Sequence, residues 1–208
     1  FLALLGTHSL MTNHSFFGGL RSRLMALAFT VVAAGLPAAD PAVLLKDPAV
    51  QSLLDVVRRN EPDTMALLVR LTEIPAPPFK EEARAAVLRQ LFEQHGLKNV
   101  FIDRAGNVVG TRPGAQPRPN VVVSAHLDTV FPEGTDVTVK HDGSRLKAPG
   151  IGDDTRGLAE LISVLRVLQE TKTPTTGTIT FVATVGEEGL GDLRGVKELF
   201  DHTLKDKV

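Results

Sequence analysis

The chain has 208 residues, of which 43% are hydrophobic and 23% are charged. This is the composition of an ordinary globular protein, so the sequence excludes a disordered or fibrous chain. The formal net charge is −1 and the isoelectric point is about 6.7, which excludes strong attraction to nucleic acid or to an anionic membrane. The chain has no cysteine, so any metal has to be held by histidine, aspartate and glutamate.

The first 39 residues have the layout of a secretory signal. The chain begins at Phe1, which indicates upstream read-through or an incomplete sequence, and its first methionine is Met11. Two arginines then precede an apolar run over residues 24–34 and a stretch of small residues and proline. The apolar run is much shorter than the ~20 residues that cross a bilayer, so a permanent transmembrane helix and a buried helix are the weaker alternatives. We expect a signal peptide over about residues 11–39 and a secreted or periplasmic protein.

Helical patterns dominate the next part of the chain. Asp47 followed by Pro48 predicts a helix start, because aspartate caps a helix and proline fits its first turn. A second helix is predicted from Pro62 to about Thr72, because apolar residues recur there with helical spacing, at Met65, Leu68, Val69 and Leu71. A third helix is predicted over residues 80–95.

Strands and helices alternate through the rest of the chain. Short apolar runs indicate strands, and a glycine between two of them indicates a hairpin-like turn. The alternation implies an α/β domain with a mostly parallel central sheet. The predicted elements are strands at 100–102, 107–109, 121–123 and 178–184, and helices at 155–170 and about 193–200.

Three short polar motifs follow predicted strands or enter a predicted helix. The first is His126-Leu127-Asp128, directly after the strand at 121–123. An imidazole two residues from a carboxylate can bind a metal while Asp128 accepts its other ring proton. Taken alone, the pair is more often a solvated or capping pair than a metal site.

The second motif places Asp153 and Asp154 between glycines at the start of the helix at 155–170. Glycines allow the backbone to approach a ligand closely, and carboxylates are favoured at a helix N-terminus. Either aspartate could therefore be the N-cap of the helix. Both functions can hold, since one carboxylate could cap while the other binds a metal.

The third motif, Glu187-Glu188-Gly189, follows the strand at 178–184. Two adjacent glutamates repel each other unless a cation or a proton lies between them. One of them can bind a metal while the other takes a proton from water as a general base. The alternative is a solvated turn that carries two surface charges.

Together, the three motifs resemble those of a zinc exopeptidase family. That family includes peptidase T, glutamate carboxypeptidases, acetylornithine deacetylase and succinyl-diaminopimelate desuccinylase, and the match runs from about Met65 onward. The Pro-Gly-x-Gly-Asp-Asp sequence at 149–154 is more similar to the peptidase T branch than to the deacetylases. Aminopeptidases with a similar zinc pair are the near alternative, and Thr129 and Val130 favour the first family.

The resemblance implies a three-layer α/β/α catalytic domain with two zinc ions. It implies that His126 and Glu188 each bind one metal, that Asp153 bridges both, that Glu187 is the general base, and that Asp128 orients His126. Imidazole and carboxylate ligands suit zinc, with cobalt or manganese as alternatives. The expected reaction is hydrolysis of a peptide bond in a short peptide by a water that the metals activate.

The resemblance also implies parts that have no counterpart here. Family members have a further acidic ligand, a distant histidine and a lid domain that often dimerises, whereas Asp201, His202 and Asp206 are the late candidates in this chain. We therefore expect residues 40–208 to be the N-terminal part of an incomplete catalytic domain that is inactive by itself. Two other functions stay open: an amidohydrolase acting on N-acyl amino acids, and a non-catalytic binding domain of the same fold.

Overall fold

A four-stranded sheet organises residues 40–208, the part of the chain that the computed structural model describes. The signal peptide predicted over residues 11–39 lies outside the described residues. Across this sheet, the neighbouring strands are the first, the second, the sixth and the third strand of the chain, in that order. In chain order the strands are β1 (Lys98–Ile102), β2 (Val108–Arg112), β3 (Asn120–His126), β4 (Lys140–Asp142), β5 (Arg145–Lys147) and β6 (Thr178–Thr184).

The predicted α/β class is confirmed, and the sheet is mixed. Strands β3 and β6 are parallel, whereas β2 pairs antiparallel with both β6 and β1. The antiparallel pairing of β1 with β2 follows from the short turn between them, which can only connect antiparallel neighbours. The Asp103 side chain closes that turn by accepting hydrogen bonds from the amides of Ala105, Gly106 and Asn107 at 3.0 to 3.1 Å.

Helices cover both faces of the sheet, which confirms the three-layer arrangement. On one face, α3 and α4 pack against Phe181 and Ala183 of β6. On the other face, Val182 of β6 packs against Leu199 and Leu204, which follow α5. The helices are α1 (Pro41–Leu44), α2 (Pro48–Thr72), α3 (Glu82–Gln94), α4 (Arg156–Glu170) and α5 (Arg194–Glu198).

Helix α2 corrects one boundary predicted from the sequence. Asp47 caps it as predicted, with Oδ1 accepting from the Ala49 amide at 2.7 Å. Pro62, however, lies inside α2 and does not start a second helix. Proline removes one backbone donor from a helix, and the long contact between α2 and α4 stabilises the continuous helix in spite of that loss.

Two further features complete the fold. Strands β4 and β5 form a separate two-stranded sheet that the sequence patterns did not predict. None of the helices within residues 40–208 combines the length and apolar character needed to cross a membrane.

Candidate metal centre

The ends of β3 and β6 bring the first and third motifs together. The two strands are parallel neighbours in which His126 pairs with Thr184, and the Leu127 amide donates to the Thr184 carbonyl at 2.7 Å. The residues that follow both strands therefore leave the sheet at the same edge. Ligands bind in this position in open α/β sheets.

Three side chains converge at this edge. One ligand atom each from His126, Glu187 and Glu188 lies within 4.8 Å of the others. Asp153 is not one of these three, but its Oδ1 lies 2.9 Å from His126 Nε2. Glu187 Oε2 lies 3.9 Å from the same nitrogen. The structure thus brings together all four residues that the sequence assigned to metal binding and proton transfer.

Asp128 fixes the backbone of the two glutamates in the cluster. Its carboxylate is fully buried and accepts hydrogen bonds from the backbone amides of Glu187 and Glu188 at 3.0 and 2.9 Å. The loop after β6 is therefore tied to the end of β3 by one side chain. A buried carboxylate that accepts two amide hydrogen bonds is strongly favoured in its ionised form.

The contact of Asp128 with the His126 ring differs in detail from the expectation. The ring Nδ1 donates to the backbone carbonyl of Asp128 at 3.0 Å, while the carboxylate Oδ1 lies 3.6 Å away. At that distance the carboxylate attracts the ring by charge but makes no good hydrogen bond. The carbonyl fixes the tautomer instead, because the carboxylate is turned toward the two amides. This leaves Nε2 to face Asp153 and Glu187.

The second motif divides its two carboxylates between structure and site. Asp154 is half-buried and accepts from the Gly157 amide at 3.0 Å and from the His126 amide at 3.1 Å. A Cβ on Gly157 would lie 2.1 Å from Asp154 Oδ1, so a larger residue there would displace the carboxylate from its present position. Asp153 has an 80% exposed side chain next to His126. One aspartate thus anchors the start of α4 while the other is available to a ligand.

The concentration of acids shifts the protonation of the site. Burial lowers the pKa of His126, but its contacts with Asp128 and Asp153 and the charge of Asp154 outweigh burial and raise the pKa to about 9. Burial likewise raises the pKa of Asp128, but His126 and the two amides lower it to about 2. Burial and the neighbouring Asp153 raise the pKa of Glu188. Without a cation, protonation is therefore favoured at His126 and Glu188, whereas Asp128 stays ionised.

The donor set fits a divalent metal ion. One imidazole nitrogen and several carboxylate oxygens match the ligands that zinc accepts in proteins. A cation would also offset the repulsion among Asp153, Glu187 and Glu188. Of the three clustered side chains, the sequence predicts His126 and Glu188 as metal ligands and Glu187 as the general base.

The late candidates from the sequence lie elsewhere. Asp201 and His202 line a surface cleft with Arg104 and Lys197, away from His126. The backbone carbonyl of Asp206 accepts from Arg118. None of the three belongs to the group of metal-ligating side chains found within residues 40–208.

Arg84 supports the site and was missed from the sequence. It is only 1% exposed, and its guanidinium donates to the carbonyls of Ile74 and Leu127. It thereby fixes the chain between His126 and Asp128 to the segment after α2. Its place on the inward face of α3, four residues before Leu88, is the signal that could have identified it.

Comparisons with known proteins agree with this geometry. Residues 107–208, which contain all three motifs, match Peptidase family M28. A protein of Pyrococcus abyssi described as a LysW-lysine/LysW-ornithine hydrolase is 35% identical over 68 residues, which cover 33% of this chain and 19% of that protein.

Solved structures share the fold. A tripeptidase from Staphylococcus aureus is 31% identical, with a TM-score of 0.57, and the match covers 68% of this chain and 41% of that one. Human carnosine dipeptidase 1 has a TM-score of 0.63 at 13% identity, over 75% of this chain and 38% of that one, and shows the fold alone. The chain thus spans between about a fifth and two fifths of these relatives. Its resemblance to the metal-dependent exopeptidases, predicted from the three motifs, is confirmed by these matches.

Proposed function

We propose that the protein is a metal-dependent exopeptidase that hydrolyses peptide bonds in short peptides. The observation that carries the proposal is the convergence of His126, Glu187 and Glu188 within 4.8 Å at the ends of two parallel strands. The match to Peptidase family M28 and to the tripeptidase supports it. Export through residues 11–39 is part of the same proposal.

The proposed metal is zinc, with two ions in the complete site. His126 and Glu188 would each hold one ion and Asp153 would contact both, as the family resemblance implies. Bound there, zinc would polarise the scissile carbonyl and lower the pKa of the attacking water. Cobalt and manganese are alternatives with the same ligands.

The other residues have roles in positioning and proton transfer. Glu187 is 42% exposed, lies 3.9 Å from His126 Nε2, and would carry a proton from the attacking water to the leaving amine. Asp128 holds the amides of Glu187 and Glu188, which keeps the base and the ligand in a fixed relation.

Removal of the metal tests the proposal. Dialysis of the full-length protein against a chelator should abolish hydrolysis of dipeptides and tripeptides, and added zinc should restore it, because the acids alone cannot activate water to the same extent. N-acyl amino acids should be assayed in parallel with the peptides. Release of the acyl group, without cleavage of the peptides, would identify an amidohydrolase instead. Hydrolysis that persists in the metal-free protein would contradict the proposal, and a protein that binds zinc without turnover would be a binding domain.

Metal affinity should depend on pH. The pKa of His126 is raised to about 9 in the metal-free protein, so below that pH a metal has to displace a proton from the ring. The apparent affinity for zinc should therefore rise about tenfold per pH unit from pH 6 to 8 and level off above 9. Calorimetric titrations in buffers of different ionisation enthalpy should show the release of about one proton at pH 7. A flat affinity profile would contradict this protonation state.

A further inference from the structure

Arg194 joins two loops beside the metal centre. It is the first residue of α5, and its Nη2 donates to both carboxylate oxygens of Glu81 at 2.8 Å. Its guanidinium carbon also lies 4.7 Å above the centre of the Phe79 ring, a cation–π contact. Glu81 is 3% exposed and accepts from the Phe79 amide at 3.2 Å. The segment between α2 and α3 is thereby tied to the segment after β6.

The guanidinium also lies against the backbone of the proposed catalytic loop. A Cβ on Gly186, which has φ +60°, would be 1.8 Å from Arg194 Nη1. That nitrogen is the buried side-chain polar atom without a hydrogen-bond partner within residues 40–208. Gly186 directly precedes Glu187 and Glu188. Arg194 therefore packs against the backbone that determines the positions of these two side chains.

The loop is therefore held from two sides. Asp128 binds the amides of Glu187 and Glu188 on the sheet side, and Arg194 packs on Gly186 from the side of α5. A left-handed backbone, unfavourable for a bulky residue, occurs at Phe79 with φ 66° and at Leu193 with φ 56°. Phe79 contacts the Arg194 guanidinium, and Leu193 directly precedes Arg194 in the chain. The contacts of Arg194 therefore stabilise a backbone conformation that is unfavourable for these two residue types.

We propose that Arg194, held by Glu81 and Phe79, is a positioning residue that fixes the Gly186–Glu188 backbone so that Glu188 meets the metal and Glu187 meets the attacking water. The inference rests on the proposed function for its effect on turnover. Its effect on the loop itself needs neither metal nor substrate.

Hydrogen exchange of the metal-free protein tests the effect on the loop. In Arg194→Gln, the amides of Glu187 and Glu188 should exchange about tenfold faster or more, because their hydrogen bonds to Asp128 lose the support of the opposite side. The matched control is Arg104→Gln, which breaks another arginine pair with α5, that of Arg104 and Glu198 at 2.6 Å. Exchange at the two amides should be unchanged in the control.

Zinc affinity and turnover test the effect on the site. In the full-length protein, Arg194→Gln should lower both zinc affinity and kcat at least about tenfold, as is usual for partners that hold metal ligands, while KM changes little. Glu81→Gln should reproduce the effect, since it removes the carboxylate that holds Arg194. Rescue by Arg194→Lys should be partial at most, because lysine cannot contact Glu81, Phe79 and Gly186 together.

The outcomes separate this inference from the proposed function. Unchanged exchange at Glu187 and Glu188 together with unchanged zinc affinity in Arg194→Gln would overturn it. Unfolding of both Arg194→Gln and Glu81→Gln would also overturn it, because the pair would then serve only the stability of the fold. A parent protein that neither binds zinc nor cleaves peptides would refute the proposed function, while the exchange result would still decide the role of Arg194.

Discussion

Replacement of Glu187 by glutamine is expected to lower kcat for peptide hydrolysis about a thousandfold, or about 4 kcal/mol in transition-state free energy. Glutamine keeps the size of the side chain and the backbone contacts with Asp128, but it cannot accept a proton from water. Steady-state kinetics of the full-length protein on a tripeptide should show the loss in kcat with little change in KM. Zinc content, measured by atomic absorption, should stay close to that of the parent protein.

The zinc measurement decides between two assignments of the adjacent glutamates. Glu187 and Glu188 each have a carboxylate oxygen within 4.8 Å of a ring nitrogen of His126, so the geometry alone allows either glutamate to be the base. If Glu187→Gln loses zinc as well as activity, Glu187 is a ligand and Glu188 becomes the candidate base. A suitable control is Glu93→Gln on α3, where the exposed side chain pairs with Arg89. Full activity in Glu187→Gln would remove the proposed base altogether.

Replacement of His126 by asparagine should weaken zinc binding more than about a hundredfold. Loss of a partner that merely holds a ligand already costs ten- to a hundredfold in affinity, and His126 supplies the nitrogen itself. Competition with a zinc-sensitive dye measures the affinity, and circular dichroism checks that the protein remains folded. Asparagine retains a polar side chain and does not alter the backbone pairing with Thr184.

The control for this change is His202→Asn. His202 is exposed in the π-helical segment Leu199–Thr203 after α5 and is not part of the cluster around His126, so its replacement should leave zinc affinity unchanged. Equal losses in both variants would indicate unspecific binding by surface histidines. No loss in His126→Asn would refute the assignment of the metal centre.

Much of the fold could be predicted because its signals are local. The strand at 178–184 and the helix at 155–170 have the bounds of β6 and nearly those of α4, since uninterrupted apolar runs and helical periodicity are read within one segment. The helix start predicted at Pro62 was wrong for the same reason. Its local preference for a helix start was outweighed by packing of α2 on α4, which a local pattern does not contain.

The site shows the same division. His126, Asp153 and the two glutamates were predicted from short motifs, and the parallel pairing of β3 with β6 explains why His126 meets the glutamates, while Asp153 reaches His126 from the segment before α4. The contacts of Arg84 with Leu127, and of Arg194 with Glu81, join residues far apart in the chain. Such contacts follow from the finished fold and leave only a weak trace in the sequence, here an arginine on the inward face of a helix.

The parallel pairing of β3 and β6 also makes the affinity for a metal ion depend on folding. Parallel neighbours cannot be joined by a tight turn, so residues 127–177 have to form a crossover connection that places His126 beside Thr184. An unfolded chain therefore holds the imidazole and the glutamates apart and has little of the native affinity for a divalent ion. By mass action, an ion that recognises only the assembled strand ends shifts the equilibrium toward the native protein, so metal supply would govern how much folded protein persists.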